Sequence, residues 1–247
     1  AFLTGRIRQK LDDEFPELIH GVMNLLWPHY LRPVPAMSLL EFTPIPGAIT
    51  ERKRIPARET EVESREMEGT RCRFRTTADV DLYPLQLEQV SMESASSGQS
   101  ALRLRFATLP GATLGQAGIE RLRLHLVGEP AYTLYYWLCR YVGKIKLRLL
   151  TQGRPAEELG LPDCKIQPFG FAKEEALLPY PQTAFDGYRL LQEYFAFPQK
   201  FLAVDLSDLR PLARRSSATT FEILILFTKA PPASLRVSKD HVRLFCT

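Results

Sequence analysis

Two stretches decide the fold class: Leu102-Arg103-Leu104-Arg105-Phe106 and Arg121-Leu122-Arg123-Leu124-His125-Leu126. In each, apolar residues alternate with charged or polar ones at period two. An extended strand then carries leucine and phenylalanine on one face and arginine, with His125, on the other. The intervening GATLGQAGIE (111–120) reads as a hairpin-like connection. If the two strands pair, Arg103, Arg105, Arg121 and Arg123 line up as a flat basic sheet surface. The only aromatic residue in these strands, Phe106, falls on the leucine face, whereas a nucleic-acid surface interleaves aromatics with its cations.

Outward from this centre, residues 144–150 repeat the alternation, and the Tyr- and Trp-rich stretch near 130–142 reads as a helix. Toward the N-terminus, 37–42, 60–62, 71–75 and 79–87 read as short strands, with a proline-containing loop at 43–60 and a flexible polar loop, SMESASSGQS, at 91–100. Toward the C-terminus, 151–181 is a long connection with five prolines. A helix at 188–197 stops at Pro198, and 201–205, 222–228 and 241–245 read as strands. Helices and strands mix without βαβ regularity, so the class is α+β with a sandwich or barrel-like β part. Three regions are expected: a helical segment over 1–35, a β-rich domain with one helix over 36–160, and a second α+β domain over 161–247.

The helical segment places Leu3, Ile7, Leu11, Phe15, Leu18, Val22 and Leu25 at steps of three and four. Pro16 interrupts it, giving two helices or one kinked helix. The stripe is either packed on its own domain's core or is a bundle seam shared with another chain. Its narrow a/d spacing and the Pro28, Pro33 and Pro35 hinge behind it are what inter-chain bundles use. The chain opens without Met in helical rhythm and stops within a strand, which reads as a fragment cut by proteolysis or by design.

Of 247 residues, 45% are hydrophobic and 24% charged, a globular composition that excludes general disorder and fibrous folds. With 32 basic and 28 acidic residues the net charge is +4, too slight for a nucleic-acid footprint. No signal peptide and no apolar run long enough for a membrane span are present, so a soluble cytoplasmic protein without membrane insertion is expected. Cys72, Cys139, Cys164 and Cys246 form no CxxC pair and read as buried free thiols in a reducing compartment. GxSxG, GxxxxGK[ST], GxGxxG, HExxH and EF-hand patterns are all missing. The glycines at 111, 115 and 118 lack the lysine of a phosphate cradle, and His20, His29, His125 and His241 share no metal-ligand spacing. No catalytic residue, cofactor or metal is therefore assigned. Asp79 and Asp81, at strand spacing, are the best carboxylate pair for a hydrolase with a fold-built site, the alternative to a structural role. A solvated or arginine-paired role is the simpler account of them.

Five strings are more specific: RQKLDDEFPEL (8–18), WPHYLRPVPAMS (27–38), CRFRTTADVDLYPL (72–85), GFAKEEALLPYP (170–181) and GYRLLQEYFAFPQKF (187–201). Together they resemble the TssF (ImpG) family of type VI secretion baseplate subunits, in family order over nearly the whole chain. Trp27 stands where the family pattern has Tyr, and Lys173 where it has an acid. The resemblance implies a phage-wedge-like fold and a structural role without enzymatic activity. It implies assembly with TssG and a second TssF copy into a wedge core, contacts to TssK and to TssE at the sheath, and placement around the spike hub of a baseplate docked on the inner-membrane complex. On that footing the stripe Ile7, Leu11, Leu18, Val22 and Leu25 is the first candidate interface. Phe169, Phe171, Leu177 and Tyr180, from the apolar loop 169–181, are the second, as a docking surface or as packing at a domain joint.

Overall fold

A computed structural model describes residues 2–94, 98–151, 154–181, 184–214 and 218–247, with backbone only at 11–14, 151 and 154–156. In chain order the elements are α1 (Phe2–Leu26), α2 (Pro28–Leu31), β1 (Lys53–Ile55), β2 (Glu61–Glu63), β3 (Arg73–Arg75), β4 (Val80–Leu82), β5 (Leu85–Ser94) and β6 (Ser100–Thr108). Then come α3 (Leu114–Ala117), β7 (Leu122–Leu126), α4 (Ala131–Arg140), β8 (Val142–Thr151), β9 (Arg154–Gly160) and β10 (Ile166–Pro168). The chain closes with α5 (Asp186–Ala196), β11 (Ala203–Leu206), α6 (Arg210–Ala213), β12 (Thr220–Phe227) and β13 (Val242–Leu244). They form two compact units, one helical (Ala1–Met37 with Leu177–Ala196) and one β-rich (Ser38–Ala176 with Phe197–Thr247). The class is α+β, as the sequence predicts.

The β-rich unit holds two large antiparallel sheets, ordered β5-β6-β12-β8-β9 and β10-β11-β7-β13, and two small ones, β1-β4 and β2-β3. Both alternating strands form, but in different sheets: β6 pairs with β5 and β12, β7 with β11 and β13. The basic surface expected from their pairing is therefore not built. The cause lies in 111–120, which is not a hairpin. Thr113 caps α3 in a capping box, its hydroxyl accepting from the Gln116 N–H at 3.4 Å while Gln116 Oε1 accepts from the Thr113 N–H at 3.2 Å. Gly118, at φ +57, ends the turn in the left-handed conformation that glycine adopts without strain.

The leucine faces of both large sheets meet in one core. Leu102, Leu104 and Phe106 of β6 and Phe221, Ile223, Ile225 and Phe227 of β12 join Leu122 and Leu124 of β7. The Phe106 and Phe221 rings stack at 5.1 Å. On the polar face of the five-stranded sheet, acids and bases alternate from strand to strand. Arg103 faces Glu93 at 3.6 Å and Glu222 at 3.7 Å, and Arg148 faces Glu222 and Glu158, each at 3.2 Å. Cross-strand pairs of this kind each contribute a few tenths to about 1 kcal/mol. The Lys146 ammonium, with Arg148 beside it, holds the Glu158 carboxyl below its usual range.

Several sequence readings need correction. Residues 37–42 do not form a strand: Glu41 makes an isolated bridge to Cys246, flanked by the Leu40 N–H donating to the Thr247 carbonyl at 2.9 Å and the Phe42 N–H to the Phe245 carbonyl at 3.1 Å. β1 lies inside the expected 43–60 loop. The 79–87 strand is broken at Tyr83-Pro84 into β4 and β5. In the polar stretch 91–100, residues 91–94 and Ser100 are strand, and 95–97 lie outside the described residues. The long connection 151–181 holds β9 and β10. Strands from both sides of residue 160 share both large sheets, so that position does not separate two bodies. Of the four thiols, Cys72 and Cys139 are exposed; Cys164 and Cys246 are buried, and burial pushes each up to about 12.

In the helical unit, α1 runs through Pro16 as one helix. His29 is buried, its ring 4.8 Å from Tyr30 and edge-on to Tyr180 at 4.6 Å. Arg189 and Glu193, one turn apart on α5, are both buried and paired at 3.1 Å. Glu193 Oε1 also accepts from the backbone N–H groups of Leu177, at 2.8 Å, and Leu178, at 3.2 Å. A buried carboxylate so placed pins the 177–178 backbone to α5.

Two outcomes follow from the buried ionisable groups. His125 packs edge-on against Phe169, and burial, with the Arg123 charge, pushes its pKa from 6.5 to about 3. Between those values the unfolded chain holds a proton that the native state does not. Stability is then full above pH 6.5 and falls by a few kcal/mol as pH drops toward 3. In urea titrations at pH 7 and pH 4, His125→Leu should show a smaller acid loss than the parent; an unchanged loss refutes the assignment. Arg189→Met leaves the buried Glu193 without that counter-charge and should cost about 3–5 kcal/mol. Hydrogen exchange should locate the damage at the Leu177 and Leu178 amides, and unchanged protection there rules out the pinning role.

Candidate functional site

The feature that stands out in the helical unit is the apolar face of α1. The sequence makes a helix here because its large apolar residues recur every three or four positions while Arg6, Arg8, Lys10 and Glu17 fill other positions. At about 100° per residue, the stripe from Leu3 to Leu25 stays within an arc of about 120°. None of the described α1 side chains is buried, and only Met23 is half-buried. Exposure of the stripe runs from 54% at Val22, through 61% at Ile7 and 67% at Leu18, to 85% at Leu25. Leu11 lies on the same face by position, and its side chain is outside the described residues. An exposed contiguous apolar face is the kind of surface that interaction sites use, which makes this stripe the candidate site.

The magnitudes support that reading. Taking a large apolar side chain from water into a packed seam yields about 1.5–3 kcal/mol. Leu3, Ile7, Phe15, Leu18, Val22 and Leu25 together supply a gross drive of roughly 10 kcal/mol or more. That is of the order of the freedom two chains lose on associating, about 4–15 kcal/mol. The stripe suffices for a partner helix bundle, provided that the partner contributes comparable surface.

A second exposed apolar face was not foreseen. On α5, Arg189 and Glu193 face inward, while Tyr188, Leu191 and Phe195, at i, i+3 and i+7, are exposed, Phe195 at 82%. Phe185 stands edge-on to Tyr188 at 5.7 Å. The spacing was present in GYRLLQEYFAF, but four aromatic residues and two leucines in eleven leave the wheel apolar on most sides. The buried Arg189–Glu193 pair decides which side faces in, and periodicity alone would have put an ion pair outward.

The residues of the second predicted interface belong to both units. Phe169 belongs to the β-rich unit and is buried, with the Arg123 guanidinium 3.4 Å over its ring. At 6% exposure its side chain has almost no surface to offer a partner. Phe171 is exposed and lies 5.0 Å from the Phe201 ring. Leu177 and Tyr180 belong to the helical unit and are half-buried, Leu177 tied through its N–H to Glu193 and Tyr180 against His29.

The carboxylate pair is built into an arginine network. Asp81 accepts from Arg52 at 2.8 Å and Arg121 at 3.4 Å. Asp79 binds Arg54 and accepts from the Ala57 N–H at 2.7 Å. That N–H, with the Arg54 charge, holds Asp79 below the usual carboxylate range and so ionised, the wrong state for a general acid. Arg123 binds Asp205 through two nitrogens, at 2.7 and 3.0 Å. Of the arginines that alternation set on one face, Arg121 and Arg123 are thus counter-ions to Asp81 and Asp205, as Arg103 and Arg105 are to Glu222 and Glu88. Among the described residues no group of three or more His, Cys, Asp or Glu could hold a metal, and no helix is long and apolar enough to cross a membrane.

Comparison with known proteins agrees with the architecture. The family described as "Type VI secretion system, TssF" matches residues 1–247. The type VI secretion system component TssF1 of Pseudomonas aeruginosa is 33% identical over 249 residues, covering 93% of this chain and 39% of that protein. Among solved structures, a chain of a type VI secretion TssK–TssF–TssG baseplate subcomplex, determined by cryo-electron microscopy, superimposes with a TM-score of 0.84 at 36% identity. It covers 100% of this chain and 47% of its own length. The chain thus spans less than half the length of the relatives it matches. With the whole sequence matched and the fold shared, the chain belongs to the TssF family of type VI secretion components.

Proposed function

We propose that this chain is part of a structural subunit of a type VI secretion baseplate and has no enzymatic role of its own. The observation that carries the reading is the exposed apolar stripe of α1 on a chain of the TssF family. The related structure is a TssK–TssF–TssG subcomplex, which makes TssG and TssK the first partners to assign here. We assign the stripe Ile7, Leu18, Val22 and Leu25 to a helical seam with TssG, continued by the Tyr188, Leu191 and Phe195 face of α5. A second copy of the subunit in that seam, TssE at the sheath side, the spike hub at the centre, and a cytoplasmic baseplate docked on the inner-membrane complex complete the proposal. These last features rest on family resemblance alone. No observation favours a hydrolase, since Asp79 and Asp81 are committed to arginines.

The test is co-expression with TssG from the same operon, followed by mass determination by light scattering. Leu18→Asp with Val22→Asp would bury two unpaired charges in the seam. Both positions are exposed in the chain itself, so folding should persist, with an unchanged thermal midpoint. The parent should co-purify with TssG and the double variant should not. A double variant that still binds TssG excludes α1 as the seam.

A further inference from the structure

In the β-rich unit a groove of about 680 Å³ opens between the edges of the two large sheets. One wall is the start of β8. Its neighbour β9 reaches only to Gly160, opposite Lys146, and one further bond follows, from the Leu161 N–H to the Ile145 carbonyl at 2.9 Å. The chain then turns away, with the Cys164 N–H on the Leu161 carbonyl at 3.2 Å. Val142, Gly143 and Lys144 are left without a strand on that side among the described residues. Gly143 is the extra residue of a bulge: Lys144 faces Leu226 and Val142 faces Phe227. A Cβ at Gly143 would come within 2.8 Å of Thr228 Cγ2, so only glycine fits the bulge unless Thr228 moves.

The other wall is β10, an edge strand of its sheet. The Lys165 carbonyl accepts from Ser207, and the Phe169 N–H donates to Ala203, both toward β11. Antiparallel alternation therefore turns the Ile166 N–H and carbonyl away from β11, and Ile166 lines the groove. The last turn of α4 closes one end with Cys139 and Arg140.

A bare strand edge is a template for another extended chain. The charge of this one is lopsided. Arg140, Lys144, Lys146 and Lys165 line the groove, and among the described residues no carboxylate does. Lys146 is held by Glu158 at 2.6 Å, while no ion pair engages Arg140, Lys144 or Lys165 among the described residues. We propose that the groove receives an extended acidic segment of a partner polypeptide, its backbone pairing with the open edges of β8 and β10 and its carboxylates meeting Arg140, Lys144 and Lys165. The site lies in the β-rich unit and does not depend on the α1 seam.

The probe is a short labelled peptide alternating glutamate with valine, titrated by fluorescence anisotropy onto the purified intact protein. Its counterparts carry lysine in place of glutamate, or N-methylated backbone amides. Lys144 and Lys165 are exposed, so Lys144→Glu with Lys165→Glu should fold normally. The glutamate peptide should bind about tenfold more tightly to the parent than to this variant, a difference of about 1.4 kcal/mol. It should also slow alkylation of Cys139, which lines the groove, and leave that of exposed Cys72 unchanged. Equal binding by the variant, or by the lysine peptide, overturns the charge match. Equal binding by the N-methylated peptide overturns strand addition. Unchanged Cys139 alkylation places the peptide elsewhere and overturns the site.

Discussion

The β-rich unit depends on the insertion of β12 between β6 and β8. All seven residues from Phe221 to Phe227 are buried, and each flank of the strand carries an antiparallel ladder. The pairing with β6 joins residues more than a hundred positions apart, such as Phe221 and Phe106. Such a contact is slow to form because the loop between must close first. Until β12 is in place, β6 and β8 expose leucine faces and open edges. The polar side of the sheet is equally conditional, because Glu222, on β12, is the carboxylate that Arg103 and Arg148 share.

Legibility in the sequence follows that dependence on distance. Period-two alternation is local, so β6, β7 and β8 could be read from a few residues each. The α5 helix and the apolar stripe of α1 were equally local. Partnership is not local. Nothing in 102–106 or 121–126 says that β6 and β7 go to separate sheets, and only the cap at Thr113 and the turn at Gly118 hint at it. β9 and β10 were hidden by prolines: Pro155 and Pro168 lie within the two strands and Pro162 between them, β9 and β10 being edge strands, where proline is tolerated.

The candidate site divides in the same way. The face of α1 was visible because its large apolar residues recur every three or four positions, a local pattern that can be read whatever covers it. The loop 169–181 was misleading because apolar content does not say which side is covered. Phe169 is sealed beneath Arg123, while Phe171, two residues on, is exposed. The reverse error was made with charge. Arg103 and Arg105, which alternation set on one face, are held by Glu222 and Glu88, and Arg121 and Arg123 by Asp81 and Asp205, whereas Arg140, Lys144 and Lys165, with no ion pair among the described residues, sit in three different elements or turns that no local pattern joins.

The bridge between Glu41 and Cys246 sets how the β-rich unit answers to force. The Leu40 and Thr247 amides each donate to the other's carbonyl at 2.9 Å, and Phe42 donates to Phe245. The two segments run antiparallel, so a pull on residue 40 against residue 247 opens that pair first. The bonds then open in sequence, as a zipper does, rather than resisting together in shear. Tension applied at that corner is spent on peeling one short ribbon, and the two large sheets behind it stay mechanically quiet until the ribbon has gone.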